Sequence, residues 1–308
     1  MRSEPRCLAP VRRHREVLRR VCRPPGEETG IRAGGETRPH KRLHGEPGAA
    51  AAGRGLRERR SKGGRGVSVL LDLVLGGLVA ASFLVAIVLA PPWLLRQIEV
   101  SRLRRVCRAR RLLALSYDDG PGPTLTPQLL SRLSASGVKA SFFPLGARAE
   151  GAPEVLDQVR REGHEVGSHS MRHVNAWRSN PVRSVRDMLE GFARFERWIS
   201  PSRLFRPPHG KLTIFHWLIL RGRGTRTAWW TIDAGDTWEP LPAVDDVVAR
   251  VREQGGGVVL LHDFDRSADR CRYVLDLTSR LLELAVTERL HVLPLGEILE
   301  AARRGDAN

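Results

Sequence analysis

Two adjacent aspartates stand at the end of an apolar run, in the stretch LSYDDGPGPT at residues 115–124. Burying a carboxylate costs free energy unless the group is paired, coordinated or neutralised. Asp118 and Asp119 therefore require an explanation if the run is a buried strand. A turn or helix cap is one explanation, because aspartate followed by glycine favours turns. A chemical site is the other.

Similar polar motifs follow other apolar runs of the chain. The runs that we predict as strands are 112–117, 138–145, 165–168, 203–206, 227–232, 257–262 and 291–294. Five of the seven end in unusual polar residues, which read DDG, HSMRH, RPPHG, DAGDTW and HD in chain order. In β/α barrels the active site lies at the carboxyl ends of the strands. This shared position favours chemistry over isolated turn capping.

His169 and His173 are four residues apart, so on a helical turn both imidazoles would face the same side. Two such histidines can hold a metal, and one carboxylate would complete a site with positions open for water and substrate. Either of the two opening aspartates can be the third ligand. Its neighbour would then point elsewhere, because successive side chains alternate along a strand, and could take a proton from water. Two carboxylates would then have two functions.

Helical periods separate the apolar runs, at residues 126–136, 153–162, 182–199, 211–221, 243–254, 273–288 and 296–303. The period is clearest in the third strand-to-strand connection, where one stripe contains Val182, Val185, Leu189, Phe192, Phe195 and Ile199. Repeated β/α units imply parallel strands with right-handed crossovers. Seven units in about 190 residues predict a small β/α barrel.

The positive charge of the chain is confined to its first third. Residues 1–66 carry 18 Lys and Arg against 7 Asp and Glu, whereas residues 112–308 carry 26 against 25. The high overall charge therefore says nothing about the substrate of the later domain. Residues 1–66 are rich in Arg, Gly and Pro and poor in β-branched residues, which predicts disorder. We expect no specific nucleic-acid partner, because no aromatic residues alternate with the basic ones.

A membrane anchor is predicted at residues 67–95. Residues 73–90 are uncharged and mostly apolar, which is near the lower length limit for a spanning helix. A buried core helix is the alternative, but no face of the segment is polar. Residues 96–111 place Ile98, Leu103 and Val106 among arginines, which is typical of a basic amphipathic helix on anionic lipid. The arginines on the two flanks nearly balance, so charge alone does not set the topology.

The ordered motifs of residues 112–300 resemble those of the polysaccharide deacetylases, the NodB-homology group of carbohydrate esterases. SYDDG resembles the family's TFDDG motif, and HSMRH matches H-S/T-x-x-H. RPPHG, DAGDTW and LLH resemble its three later motifs. The resemblance implies a distorted (β/α)7 barrel at residues 112–303, preceded by the disordered segment 1–66, the anchor 67–95 and the basic connector 96–111.

The resemblance also implies the chemistry, a metal-assisted hydrolysis of N-acetyl or O-acetyl groups on a glycan. Asp119, His169 and His173 would hold a divalent metal, usually Zn²⁺, with Co²⁺, Ni²⁺ or Mn²⁺ as alternatives. The catalytic residues would be the base Asp118, its partner Arg206, the acid His262 and its partner Asp236. Substrate would contact Pro207, His209, Gly210, Trp238 and Leu260.

Three departures from the family pattern are present. Tyr117 replaces a phenylalanine, His209 stands where an aromatic Tyr or Phe is usual, and one extra residue separates Asp236 from Trp238. The substrate expected from the resemblance is an acetylated glycan, such as peptidoglycan or a chitin-like oligosaccharide. A lipid-linked sugar or a non-sugar amide is the enzymatic alternative, and an inactive glycan-binding barrel is the non-enzymatic one. The family usually works outside the cytoplasm, which implies a single-pass membrane protein with an extracytoplasmic domain.

Overall fold

The computed structural model describes residues 56–304, with side chains from residue 69 onward. Disorder is predicted for residues 1–66: residues 1–55 lie outside the described residues, whereas residues 56–66 are helical, contrary to the prediction. Eight strands and nine α-helices are present in the described part, together with a 3₁₀ turn at Pro208–Gly210. In chain order they are α1 (Leu56–Arg110), β1 (Leu112–Asp118), α2 (Leu125–Ala135), β2 (Ser141–Phe143), α3 (Gly146–Ala149), α4 (Pro153–Arg161), β3 (Glu165–Val166), α5 (Pro181–Phe195), β4 (Leu204–Phe205), α6 (Ile214–Gly222), β5 (Arg226–Thr227), β6 (Ile232–Asp233), α7 (Val244–Gln254), β7 (Gly257–His262), α8 (Ala268–Thr287), β8 (His291–Val292) and α9 (Leu295–Arg304).

Every strand pair in the described residues is parallel, in agreement with the predicted α/β class. The larger sheet has the order β3-β2-β1-β7-β6, with β8 also paired to β1. Strand β1 is buried along its whole length, as expected for a parallel strand covered on both faces. The register of β1 with β7 places Asp118 opposite His262. Two of the predicted site residues are therefore neighbours across one ladder.

The predicted run 227–232 is divided between two strands. Strand β5 pairs with β4 in a separate two-stranded sheet, whereas β6 pairs with β7. Trp229 and Trp230 lie between them, outside either ladder. A bridge between Ser168 and Phe205 links the two sheets. The parallel α/β architecture is confirmed, and a closed seven-stranded barrel stays a prediction.

Apolar helix faces cover the sheets on both sides. In α2 the buried positions Leu125, Leu129 and Leu133 recur every four residues, as expected for a helix with one apolar face. Helix α5 begins after Asn180, whose side chain accepts a hydrogen bond from the Val182 backbone N–H. Its predicted stripe is only partly covered, because Phe192 is buried whereas Val182 is exposed.

Helix α1 continues through the predicted anchor and the basic connector without a break, and it begins at Leu56 rather than at residue 67. It is the one helix among the described residues that is long and apolar enough to cross a membrane. The connector differs from its prediction in part, because Ile98 is exposed whereas the other two predicted apolar residues are covered by protein. Leu103 is buried in the domain core and Val106 packs against that core. These side chains face protein rather than lipid, because an apolar stripe in a sequence does not specify what covers it.

Candidate active site

Asp118 and Asp119 stand where β1 ends, and both face the same site. Asp118 is the last strand residue and is buried. Asp119 has φ 65°, a left-handed conformation that reverses the ordinary alternation of side chains. His169 Nε2 consequently lies 3.8 Å from Asp118 Oδ2 and 3.5 Å from Asp119 Oδ1. The prediction that one aspartate points elsewhere is wrong, because Asp119 has left the strand conformation.

The two histidines lie on an irregular loop after β3, and no helical turn carries them. Ser170 and His173 both have positive φ, and Ser170 Oγ accepts the His173 backbone N–H at 3.1 Å. The rings of His169 and His173 are brought to 4.9 Å between centroids. The two histidines do come together as predicted, but the conformation of the loop brings them together and not the spacing of a helix.

Asp119, His169 and His173 offer ligand atoms that all lie within 4.8 Å of one another. Asp119 Oδ1 is buried, has no hydrogen-bond partner in the described residues, and faces His173 Nε2 at 3.6 Å. An unpartnered buried carboxylate oxygen beside two imidazole nitrogens is the donor set of a divalent cation. These residues therefore fit the predicted metal.

His169 is held in the orientation that a ligand needs. Its Nδ1 bonds the carbonyl oxygen of Arg206 at 2.7 Å, which leaves Nε2 directed at the aspartates. Ligand histidines generally have such a partner on the second ring nitrogen. Burial lowers the pKa of His169 to about 3, so the imidazole is neutral and can donate a lone pair.

Arg206 and Asp118 form a buried ion pair. Nη1 of Arg206 donates to Asp118 Oδ1 and to Ser116 Oγ, both at 2.8 Å. The guanidinium also stacks on Phe143, with Cζ 4.1 Å from the ring centre. Burial raises the pKa of Asp118, whereas the Arg206 charge opposes that rise. The arginine thus fixes the position of the carboxylate and favours its ionised form.

His262, at the end of β7, is paired with Asp236. Asp236 Oδ1 lies 2.9 Å from His262 Nδ1, and Oδ2 accepts the His262 backbone N–H at 3.0 Å. Burial alone would lower the pKa of His262, but the hydrogen bond and charge of Asp236 raise it to about 9. His262 is therefore protonated at neutral pH, as a general acid requires.

In the loop after β4, His209 carries the candidate backbone donor. Pro207 and Pro208 have no N–H, and the N–H groups of Gly210 and Lys211 donate to the carbonyl oxygens of Pro207 and Pro208 at 2.9 and 3.0 Å. His209 itself has φ 55°, and its ring centroid lies 4.3 Å from that of His173. The histidine that replaces the usual aromatic residue therefore borders the candidate metal ligands.

The remaining predicted substrate contacts differ in exposure. Trp238 is half exposed on the loop after β6, where its ring lies against Gly235. Leu260 is buried within β7, two residues before His262, so it can form only the floor of a groove. The extra residue before Trp238 leaves Asp236 in contact with His262.

Three side chains at the site are missing from the predicted site residues, and only Ser116 lies within one of the five motifs. Arg266 Nη2 donates to Asp236 Oδ2 at 2.6 Å, the oxygen that also accepts the His262 backbone N–H. Arg148 donates to the Asp119 carbonyl oxygen, and Ser116 bonds Arg206. Ser116 was accessible to sequence reasoning, because it is a polar residue two positions before Asp118 on a buried strand. Arg148 and Arg266 lie in loops and helix ends whose contacts depend on the tertiary fold.

Comparisons with known proteins agree with this geometry. The family model "Polysaccharide deacetylase" matches residues 105–228. A peptidoglycan-N-acetylglucosamine deacetylase of Bacillus cereus is 35% identical over 176 residues, which are 56% of this chain and 82% of that protein. A chitooligosaccharide deacetylase of Bradyrhizobium is 34% identical over 175 residues, 55% of this chain and 78% of that one. The structure of peptidoglycan deacetylase PdaC of Bacillus subtilis superposes with a TM-score of 0.55 at 26% identity, covering 64% of this chain and 93% of the solved PdaC chain.

The relatives are matched over most of their own length, and the match includes the part of the chain that carries both aspartates, both histidines and Arg206. The chain therefore belongs to the polysaccharide deacetylase family, and it is a hydrolase of carbon–nitrogen bonds other than peptide bonds.

Proposed function

We propose that the chain removes N-acetyl groups from an amino-sugar glycan with the help of a divalent metal. One observation carries the proposal: the buried carboxylate of Asp118, paired with Arg206, stands across the β1–β7 ladder from the imidazole of His262, which is paired with Asp236. Amide hydrolysis needs a base for water and an acid for the departing amine. The relatives named above are deacetylases of peptidoglycan and chitooligosaccharides, which supports an acetylated glycan as substrate.

Asp119, His169 and His173 would hold the metal, and a donor set of two imidazoles and a carboxylate suits Zn²⁺. When bound, the cation lowers the pKa of water and polarises the acyl carbonyl. Asp118 accepts the proton of the attacking water, held in place by Arg206. The His209 N–H donates to the oxygen that gains negative charge, as in an oxyanion hole.

His262 completes the reaction by protonating the amine nitrogen as the carbon–nitrogen bond breaks. Asp236 keeps the imidazole charged before that step and accepts from its Nδ1, so that Nε2 is the atom that gives the proton. Arg266 holds the other oxygen of Asp236. Pro207, Gly210, Trp238 and Leu260 would form the walls and floor of the sugar groove.

The test is acetate release by the full chain from N-acetylglucosamine oligomers and peptidoglycan fragments, with and without a chelator. Asp118→Asn should lower kcat by about 10²-fold or more, because it removes the base without removing a metal ligand. Asp269→Asn is the matched control, since Asp269 is exposed on α8. Release that survives both the chelator and Asp118→Asn would exclude the proposed mechanism.

We also propose that α1 crosses the membrane once and that residues 112–303 form an extracytoplasmic catalytic domain, with residues 96–111 as a basic connector. The apolar surface of α1 supports the span, because residues 69–87 are exposed although almost all are apolar. Protease accessibility of the domain in intact cells and in inside-out vesicles tests the topology. Digestion only from the cytoplasmic side would contradict it.

A further inference from the structure

The carboxyl-terminal part of α1 runs antiparallel to the strands of the domain. Arg96 lies beside Trp229 and Trp230, with its Cζ 5.3 Å from each ring centre. Three turns later, Arg108 lies beside Gly255. A Cβ added at this glycine would be 3.3 Å from Arg108 Cγ. The helix therefore contacts the domain at two separate levels along the direction of the strands.

These two levels are the opposite ends of the parallel strands. Trp229 and Trp230 follow β5. They come directly after Ala228, whose carbonyl oxygen accepts a hydrogen bond from Arg206 Nε. Arg96 also approaches the loop after β4, since its Nη2 would lie 3.6 Å from a Cβ on Gly210. Gly255, in contrast, precedes β7. Arg96 thus lies at the catalytic end and Arg108 at the other end.

The apolar segment of α1 precedes Arg96, so it extends beyond the catalytic end of the domain. Six residues separate Ala90 from Arg96, which is about 9 Å along a helix. The headgroup layer on each side of a bilayer is about 5–8 Å thick. Val88 and Leu89 are already partly buried, and Pro92 is buried. A membrane around residues 73–90 would therefore have its headgroups at the level of the active-site loops.

A second observation is the location of exposed apolar side chains. Outside α1, the large apolar side chains exposed among the described residues are Trp177, Val182, Phe215, Leu218, Trp238 and Val286. Trp177 and Trp238 lie in loops after strands, Val182 and Phe215 lie in first helical turns after strands, and Leu218 lies in the second turn of α6. Helix α6, which carries Phe215 and Leu218, lines a cleft together with α1. Exposed apolar surface of this kind marks contacts with protein or membrane.

We infer that the active-site face lies against the membrane surface, with Phe215 and its apolar neighbours in the headgroup layer, and that the substrate is an acylated amino sugar attached to a membrane lipid. The inference rests on the proposed deacetylase function and on the proposed span of α1. A sugar linked to a lipid presents its acetamido group at the depth of the site. A soluble polymer would have to enter between the domain and the headgroups.

Fluorescence quenching of the full chain in vesicles tests the orientation. Phe215→Cys and Val286→Cys each receive a fluorophore, and the chain without either added cysteine gives the background. The two positions are both exposed and apolar but lie at opposite ends of the domain. A water-soluble quencher should reach the label at 286 several times more efficiently than the label at 215. Equal quenching at both positions would overturn the inference.

Activity tests the substrate class. The full chain in vesicles is given N-acetylglucosamine on polyprenyl pyrophosphate or soluble N-acetylglucosamine oligomers. A variant with a flexible linker of about 20 residues between Ala90 and Pro91 keeps the span and the domain but frees the face. We expect kcat/KM for the lipid-linked sugar to exceed that for soluble oligomers by about tenfold or more. The linker should remove this preference, because the domain is then no longer held with its active site at the membrane surface.

The outcomes separate the two proposals. The linker variant should cleave soluble oligomers at least as fast as the native chain, because the linker frees the active-site face and leaves the catalytic residues unchanged. Cleavage of soluble oligomers with no preference for the lipid-linked sugar would overturn the inference and leave the deacetylase function intact. No acetate from either substrate would exclude the deacetylase function, and the inference with it.

Discussion

The carboxylate of Asp236 holds the imidazole of His262 by two hydrogen bonds, one to Nδ1 and one to the backbone N–H of the same residue. Asp236 is fully buried, and Arg266 donates to its Oδ2. The carboxylate therefore fixes both the ring and the strand end that carries it. The pairing of Asp236 with His262 should therefore determine how the activity of the enzyme depends on pH.

Asp236→Asn should move the basic limb of the pH profile of kcat/KM toward lower pH. His262 must be protonated to act as an acid, and Asp236 raises its pKa to about 9. Without that charge, the effect of burial is opposed less strongly and the pKa of His262 falls, so the protonated fraction is lost as pH rises through a lower range. We expect the rate at pH 8 to fall by about 10²-fold or more.

Glu239→Gln is the control for this substitution, because Glu239 is an exposed carboxylate that pairs with Arg270 in the same loop region. Its profile should match that of the native chain. An Asp236→Asn profile with an unmoved basic limb would show that His262 is not the acid.

His169→Ala should abolish metal binding as well as activity. It removes one of three ligands and leaves Asp119 Oδ1 with a single imidazole. Metal content after dialysis, measured by elemental analysis, should fall from about one equivalent toward zero. His291→Ala is the control, because His291 is exposed on β8, away from the ligands. Full metal content in the His169→Ala variant would place the metal elsewhere.

Sequence patterns predict the strands and the residue types of the site, but only part of its geometry. The ends of β1 and β7 are predictable because buried parallel strands have long apolar runs. The meeting of His169 and His173 depends on the left-handed residues Ser170 and His173, which no periodicity indicates. Arg266 lies far along the chain from Asp236, so only the fold brings it there.

The packing of the basic connector is likewise not predictable from its sequence pattern. Its apolar spacing predicts a one-sided helix, and Leu103 does occupy a single buried face. The pattern cannot distinguish a lipid surface from the core of the following domain, because both bury the same apolar area. The division of run 227–232 is likewise a tertiary effect, since its two halves pair with different neighbours.

Arg206→Met should destabilise the domain strongly, because it leaves the Asp118 charge buried without its partner. Breaking one side of a buried ion pair costs about 3–5 kcal/mol. Urea denaturation of the full chain in detergent measures this loss as a lower midpoint. The double variant Arg206→Met with Asp118→Asn should recover part of it, since no charge then remains unpaired. Equal midpoints for the single variant and the native chain would contradict a structural ion pair.

His209→Ala should weaken substrate binding while leaving the metal in place. The His209 ring borders His173 at 4.3 Å but is exposed and outside the group of three ligands. We therefore expect a rise in KM of about 3–10-fold, equivalent to about 1 kcal/mol of lost contact, with kcat changed far less because the backbone N–H of residue 209 is retained. His209→Tyr, which restores the aromatic residue usual in the family, should give a KM at or below that of the native chain. Loss of metal from the His209→Ala variant would instead make His209 a fourth ligand.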